Sequence, residues 1–93
     1  MFAGERRRER RVPTELPVHF GIGEGRTRDL SASGVFFHTS EALSLEEVLS
    51  FDLLLHENAG PIALRASCAG RVVRVIPMGG TWGVAVTLDS FEI

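Results

Sequence analysis

The stretch from Ile62 to Leu88 reads IALRASCAGRVVRVIPMGGTWGVAVTL. In its first half Ile62, Leu64, Ala66, Cys68, Gly70 and Val72 share one parity, the period-two pattern of a half-buried strand. After Gly70 the apolar residues Val72, Val73, Val75 and Ile76 occupy both parities. A glycine at that change of phase permits a bulge or a sharp bend at a barrel corner. Pro77 to Thr81 makes a turn, and Trp82, Val84, Val86 and Leu88 then alternate as a final strand. Asp89-Ser90 could cap a helix, but only three residues follow, so any carboxy-terminal helix is absent or vestigial.

Working outward from this hairpin, the same period recurs upstream. Leu16, Val18, Phe20 and Ile22 alternate with Pro17, His19 and Gly21, and Pro17 marks an edge or a strand start because it lacks an amide donor. Gly21, Gly23 and Gly25 suggest a turn, with Arg26 to Leu30 returning as the next strand. Val35 to Thr39 has strong strand propensity. Ser40 to Glu47 reads as either one helical turn or an irregular crossover. Leu49, Phe51, Leu53 and Leu55 then share a strand face, and His56 to Pro61 carries the Asn/Gly/Pro signature of a hairpin loop. Short strands at this spacing, with almost no helical period, predict an all-β fold, a small antiparallel barrel of about six strands. Closure removes the exposed edges that a chain this small tolerates badly.

With 93 residues the chain makes one domain. Its apolar content of 44% and charged content of 24% are ordinary for a globular protein. The lone Cys68 excludes an internal disulfide, no Cys/His spacing resembles a zinc site, and no cofactor is expected. Met1-Phe2-Ala3-Gly4 runs directly into charge, unlike a secretory leader, and no stretch approaches the roughly 20 apolar residues of a membrane span. A cytoplasmic domain is therefore expected. There is no Ser/His/Asp or Cys/His arrangement with supporting context, and no paired carboxylates in a catalytic pattern, so a binding domain is expected rather than an enzyme. His19, His38 and His56 are scattered, and Trp82 reads as core or rim packing.

The net charge of −2 argues against a general nucleic-acid binder. Its distribution is uneven. Arg6-Arg7-Arg8-Glu9-Arg10-Arg11 holds five of the ten basic side chains, and all ten are arginine. Residues 1–13 thus read as a flexible arginine-rich arm, and 14–93 as the barrel. Eighteen positions beyond Arg11 stands Asp29-Leu30-Ser31-Ala32-Ser33-Gly34. Arginine presents a planar fork that pairs with phosphate or with guanine O6 and N7, and its plane stacks on a purine. Asp29 offers acceptors for the guanine N1–H and N2–H edge. Ser31 donates to phosphate or holds the turn, and Gly34 allows positive φ or a close backbone approach. Taken alone, the arm also reads as a solvated basic tail, and Asp29-x-Ser31 as an Asx turn closing a hairpin.

Together, in this order and separation, the two motifs resemble those of the PilZ domain family, bacterial receptors for cyclic di-GMP. Arg-x-x-x-Arg in a leading arm is followed after one strand by Asp-x-Ser-x-x-Gly. Val12-Pro13 also looks like that family, and Cys68 to Val75 with Trp82 to Val86 is similar to its last two strands. The resemblance spans roughly residues 6 to 88. It implies Arg7, Arg11, Asp29, Ser31 and Gly34 as ligand residues; Arg10 and Ser33 are further candidates, and Arg71 and Arg74 read as solvent-facing strand residues, with the alternative that one of them, Arg71 first, lines the ligand face. Arg6 and Arg10 also satisfy the first motif; Arg7 and Arg11 fit better because the second arginine directly precedes the apolar residue leading into the strand. Arg6 then sits just ahead of the motif, where an arginine in this family is associated with binding two intercalated ligand molecules.

The implied function is a cyclic di-GMP receptor or adaptor, monomeric or homodimeric, whose ligand-ordered arm signals to an effector protein. A related module that binds protein partners without nucleotide is the alternative. A small-barrel RNA or single-stranded DNA binder ranks below both, since it requires exposed aromatics on a basic face and the chain has no tyrosine.

Overall fold

A computed structural model describes residues 10–21, 23–55 and 64–93. Seven strands follow one another: β1 (Val12–Pro13), β2 (Pro17–Phe20), β3 (Gly23–Ser31), β4 (Gly34–Thr39), β5 (Val48–Leu54), β6 (Arg65–Met78) and β7 (Thr81–Glu92). All pairings are antiparallel, in the order β1-β3-β2-β5-β6-β7-β4, and β4 returns to β3. Six strands, β2 to β7, thereby close on themselves. The short β1 is an addition on β3. No helix occurs among the described residues. The expected all-β barrel is the observed fold.

Alternation fills the interior. Val18 and Phe20 of β2, Val35 and Phe37 of β4, Leu49, Phe51 and Leu53 of β5, Ala66, Cys68 and Val72 of β6, and Val84 and Val86 of β7 are all buried. Phe37 lies between Phe20 and Phe51, with ring centroids 6.0 and 6.2 Å away, within the range at which tilted aromatic pairs attract. Leu43 joins this core from the β4–β5 crossover, while Leu55, Trp82 and Leu88 pack against its margin. The crossover is irregular, not helical. Ser44 to Glu47 is a tight turn in which Glu47 Oε1 accepts from the Ser44 amide at 2.9 Å and Glu46 adopts φ of 71°. It is fastened to β6 by paired bonds between Glu46, Glu47 and Val72.

The expected strand limits need three corrections. β3 begins at Gly23, so Gly25 lies inside the strand and not in a turn; a Cβ there would collide with the His38 carbonyl oxygen of β4. Leu64 shares the parity of the core residues but is half exposed and precedes β6, although its carbonyl accepts from the Leu55 amide at 2.8 Å. β7 runs to Glu92, past Leu88, because β6 continues to pair with it as far as Ser67↔Glu92. The expected 56–61 hairpin loop and Ile62 lie outside the described residues.

Two bulges shape the β6–β7 hairpin. At the first, Gly70 pairs with Leu88 and Ala69 with Ser90, leaving Asp89 as the extra residue. The Gly70 backbone passes so close to Thr87 that any Cβ would meet the Thr87 carbonyl oxygen. Gly70→Ala is accordingly expected to lower stability by about 1–3 kcal/mol, an overpacking cost, read as a lower urea midpoint at unchanged m-value.

Burial pushes the Cys68 thiol from its ordinary 9.0 up to about 11, and the nearby Asp52 charge adds to the effect. Unfolded chains therefore release this proton first. The stabilisation from keeping it bound is full below about pH 9 and is lost as pH rises from about 9 to 11. The chain has neither lysine nor tyrosine, so this alkaline window belongs to Cys68 among the side chains. Melting temperature should fall with pH across it in the natural protein, and Cys68→Ala should remove that increment of slope.

Candidate functional site

The two sequence motifs meet where β1 lies beside β3. Val12 pairs with Leu30 and Pro13 with Asp29, while Pro17 to Phe20 of β2 pair with Arg26 to Gly23 further along the same edge. Between them the strand is interrupted at Thr14 to Leu16. Thr27 bridges this gap: its hydroxyl donates to the Thr14 carbonyl at 2.6 Å and accepts from the Leu16 amide at 2.8 Å. Backbone bonds from Thr14 to Arg28 and from Thr27 to Leu16 complete the join. A buried hydroxyl with both roles satisfied is stabilising where an unpaired one would be costly.

A bulge follows at once. Thr27 pairs with Phe37 and Asp29 with Phe36, so Arg28 is the extra residue of β3. Thr27 thus faces the interior while Asp29, two positions on, faces out. Arg11 Nη1 donates to Asp29 Oδ1 at 3.2 Å. With side chains 60% and 30% exposed, such a pair contributes about 0–1 kcal/mol. Its meaning is positional: it joins the arm to the second motif across 18 residues.

Ala32-Ser33 connects β3 to β4, with Ser31 paired to Gly34. Ser31 Oγ donates to the Gly34 carbonyl at 3.4 Å, and the Leu88 amide donates to the Ser33 carbonyl at 2.8 Å. The turn is thereby tied to β7. Gly34 does not use positive φ, which among the described glycines occurs at Gly79 and Gly80. A Cβ at Gly34 would instead lie 3.0 Å from the Val86 carbonyl oxygen, so close approach of β7 is what selects glycine there.

The remaining candidates differ in placement. Arg10 lines an apolar cleft of about 460 Å³ with Val12, Leu30, Leu88, Phe91 and Ser31 of the second motif. Arg71 is exposed and, through Thr87 and Gly34, stands in the cross-strand row of Ser31. Ser33 holds the turn through its carbonyl. Arg6 and Arg7 lie outside the described residues. Sequence reasoning missed Thr27, since one threonine in a strand carries no distinguishing signal. It also missed Arg28, whose guanidinium donates to His38 Nε2 at 3.3 Å, because nothing in the sequence reveals the bulge. No helix among the described residues is long and apolar enough to cross a membrane.

The model of the PilZ domain matches residues 5–92 of this chain. No curated protein matches it. Among solved structures, the inhibitor of motility MotI/DgrA of Bacillus subtilis superposes with a TM-score of 0.75 at 19% identity, over 94% of this chain and 44% of that one. This chain therefore spans less than half the length of that protein, and at this identity the likeness is one of fold. The family match takes in both motifs and every strand, and the barrel is the same in kind: the chain belongs to the PilZ domain family.

Proposed function

We propose that this domain is a cyclic di-GMP receptor and not a catalyst. The Arg11–Asp29 pair carries the reading, because it brings the two recognition motifs into one place on the outer barrel wall. The ion pair uses one oxygen of Asp29. A carboxylate has further lone pairs, leaving acceptors for a guanine N1–H and N2–H edge. Arg11, with Arg7 and Arg6 ahead of it, supplies guanidinium forks for the phosphates and for guanine O6 and N7. The Ser31 hydroxyl and the Gly34 backbone form the base of the site.

Binding would draw the arginine segment over the ligand and complete a surface for an effector protein. The cost of ordering is then met at the moment of binding, which makes the segment a switch. An arginine at position 6 favours two stacked ligand molecules per domain.

Calorimetry tests this directly. The natural protein should bind cyclic di-GMP and give no heat with GMP or cyclic AMP at the same concentration. Losing one charge-assisted contact costs about 1.5–3 kcal/mol, so Arg7→Ala, Arg11→Ala and Asp29→Ala should each weaken binding about 10- to 100-fold. Arg8→Ala and Arg10→Ala should lose only long-range attraction, largely screened at physiological salt. Arg6→Ala should lower the stoichiometry from two ligands to one. Absence of heat and of thermal shift in the natural protein would favour the interaction-module reading. Equal losses at all five arginines would mean a diffuse basic tail and no site.

A further inference from the structure

Arg71 and Arg74 stand three apart in β6, a spacing that in a regular strand sends side chains to opposite faces. The second β6–β7 bulge cancels the offset. Val72 pairs with Val86 and Arg74 with Ala85, leaving Val73 as the extra residue. Arg71 and Arg74 are both exposed on the outer wall, while Val72 between them is fully buried. A bulge that re-aims a side chain beside a binding site is a recurring device.

Register then places Arg74 opposite the candidate site. Asp29 pairs with Phe36, Phe36 with Ala85, and Ala85 with Arg74. Directly paired residues point to the same side of a sheet, so these four form one outward row from β3 to β6. Neighbouring strands are about 4.8 Å apart, so the row spans roughly 14 Å. A short carboxylate, a purine and a long guanidinium side chain fit across that width. Phe36 is half-buried and its ring leans along the wall over Gly83: a Cβ at Gly83 would lie 2.7 Å from Phe36 Cζ and 2.9 Å from Met78 Sδ. His38 holds the ring from another side, edge-on at 5.9 Å. Ala85 is too small to obstruct what rests there.

We infer that Phe36 and Arg74 complete a guanine pocket, with one base stacked on Phe36, its N1–H and N2–H edge on Asp29, and its O6 and N7 facing Arg74. This rests on the proposed function and adds the specificity element to it. Adenine presents an amino donor where guanine has O6 and an acceptor where guanine has N1–H. Both ends of the row therefore select against it.

The test is calorimetry on the full chain with cyclic di-GMP and with its 7-deazaguanine analogue, which lacks the N7 acceptor. A bidentate contact and a stacked base are each worth about 5- to 150-fold in affinity. Arg74→Ala should weaken cyclic di-GMP binding by that factor, and Arg74→Lys should not restore it. Phe36→Leu should show a comparable loss. The natural protein should bind the deaza analogue more weakly than cyclic di-GMP, and Arg74→Ala should bind the two alike. Undiminished binding by Arg74→Ala, with Arg11→Ala impaired, would overturn this inference and leave the receptor function standing. So would a deaza penalty that persists in Arg74→Ala. No binding by the natural protein would overturn the receptor function, and this pocket with it.

Discussion

The arrangement depends on how β3 shares its hydrogen bonds. One edge is paired with β4, which closes the barrel. The other is divided between β2 and β1, with the Thr27 hydroxyl spanning the break. Without that division the chain before Pro17 would have no register on the barrel. With it, Pro13 is fixed beside Asp29 and Arg11 falls within reach of the Asp29 carboxylate. A buried, fully bonded hydroxyl thus sets the position of an exposed, weak ion pair, and it is the buried element that carries the energy.

Separation of core and site follows from the same geometry. Alternation sends Val, Leu and Phe inward on β2, β4, β5 and β7. What remains outside is free to vary in chemistry, and three bulges adjust which side chains appear there. One turns Asp29 outward just past Thr27, and another brings Arg74 to the same wall as Arg71. The interior is indifferent to these choices as long as each strand resumes its phase afterwards. Val75 does resume it, packing against the core beyond the Val73 bulge.

Much of this could be read before any coordinates. Period-two alternation located the cores of β2, β5, β6 and β7, because burial on one face leaves a trace in every second residue, and strand propensity located β4. The change of apolar parity after Gly70 is the trace of the bulge at Val73, whereas the bulge beside Gly70 puts its extra residue, Asp89, on β7. Glycines were harder, since the same residue serves turns and close approaches. Gly25 looked like turn chemistry but accommodates the His38 carbonyl, and Gly34 meets the Val86 carbonyl in place of a positive φ. The extension of β7 to Glu92 depends on a distant partner, the start of β6, and so has no local signature. Likewise the motifs named Asp29 and Ser31, whereas the shared row of Asp29, Phe36, Ala85 and Arg74 exists only once register is known.

The central claim is that one outer wall of this barrel, spanning β1, β3, β4, β7 and β6, is the ligand face. Amide NMR on the labelled protein titrated with cyclic di-GMP tests it most directly. The account predicts saturable shifts at Arg11, Asp29, Ser31 and Phe36, extending to Arg71 and Arg74, with His19, Asp52 and Ser67 on the β2–β5–β6 side unmoved. Shifts centred on that second group, or none at all at saturating ligand, would contradict it.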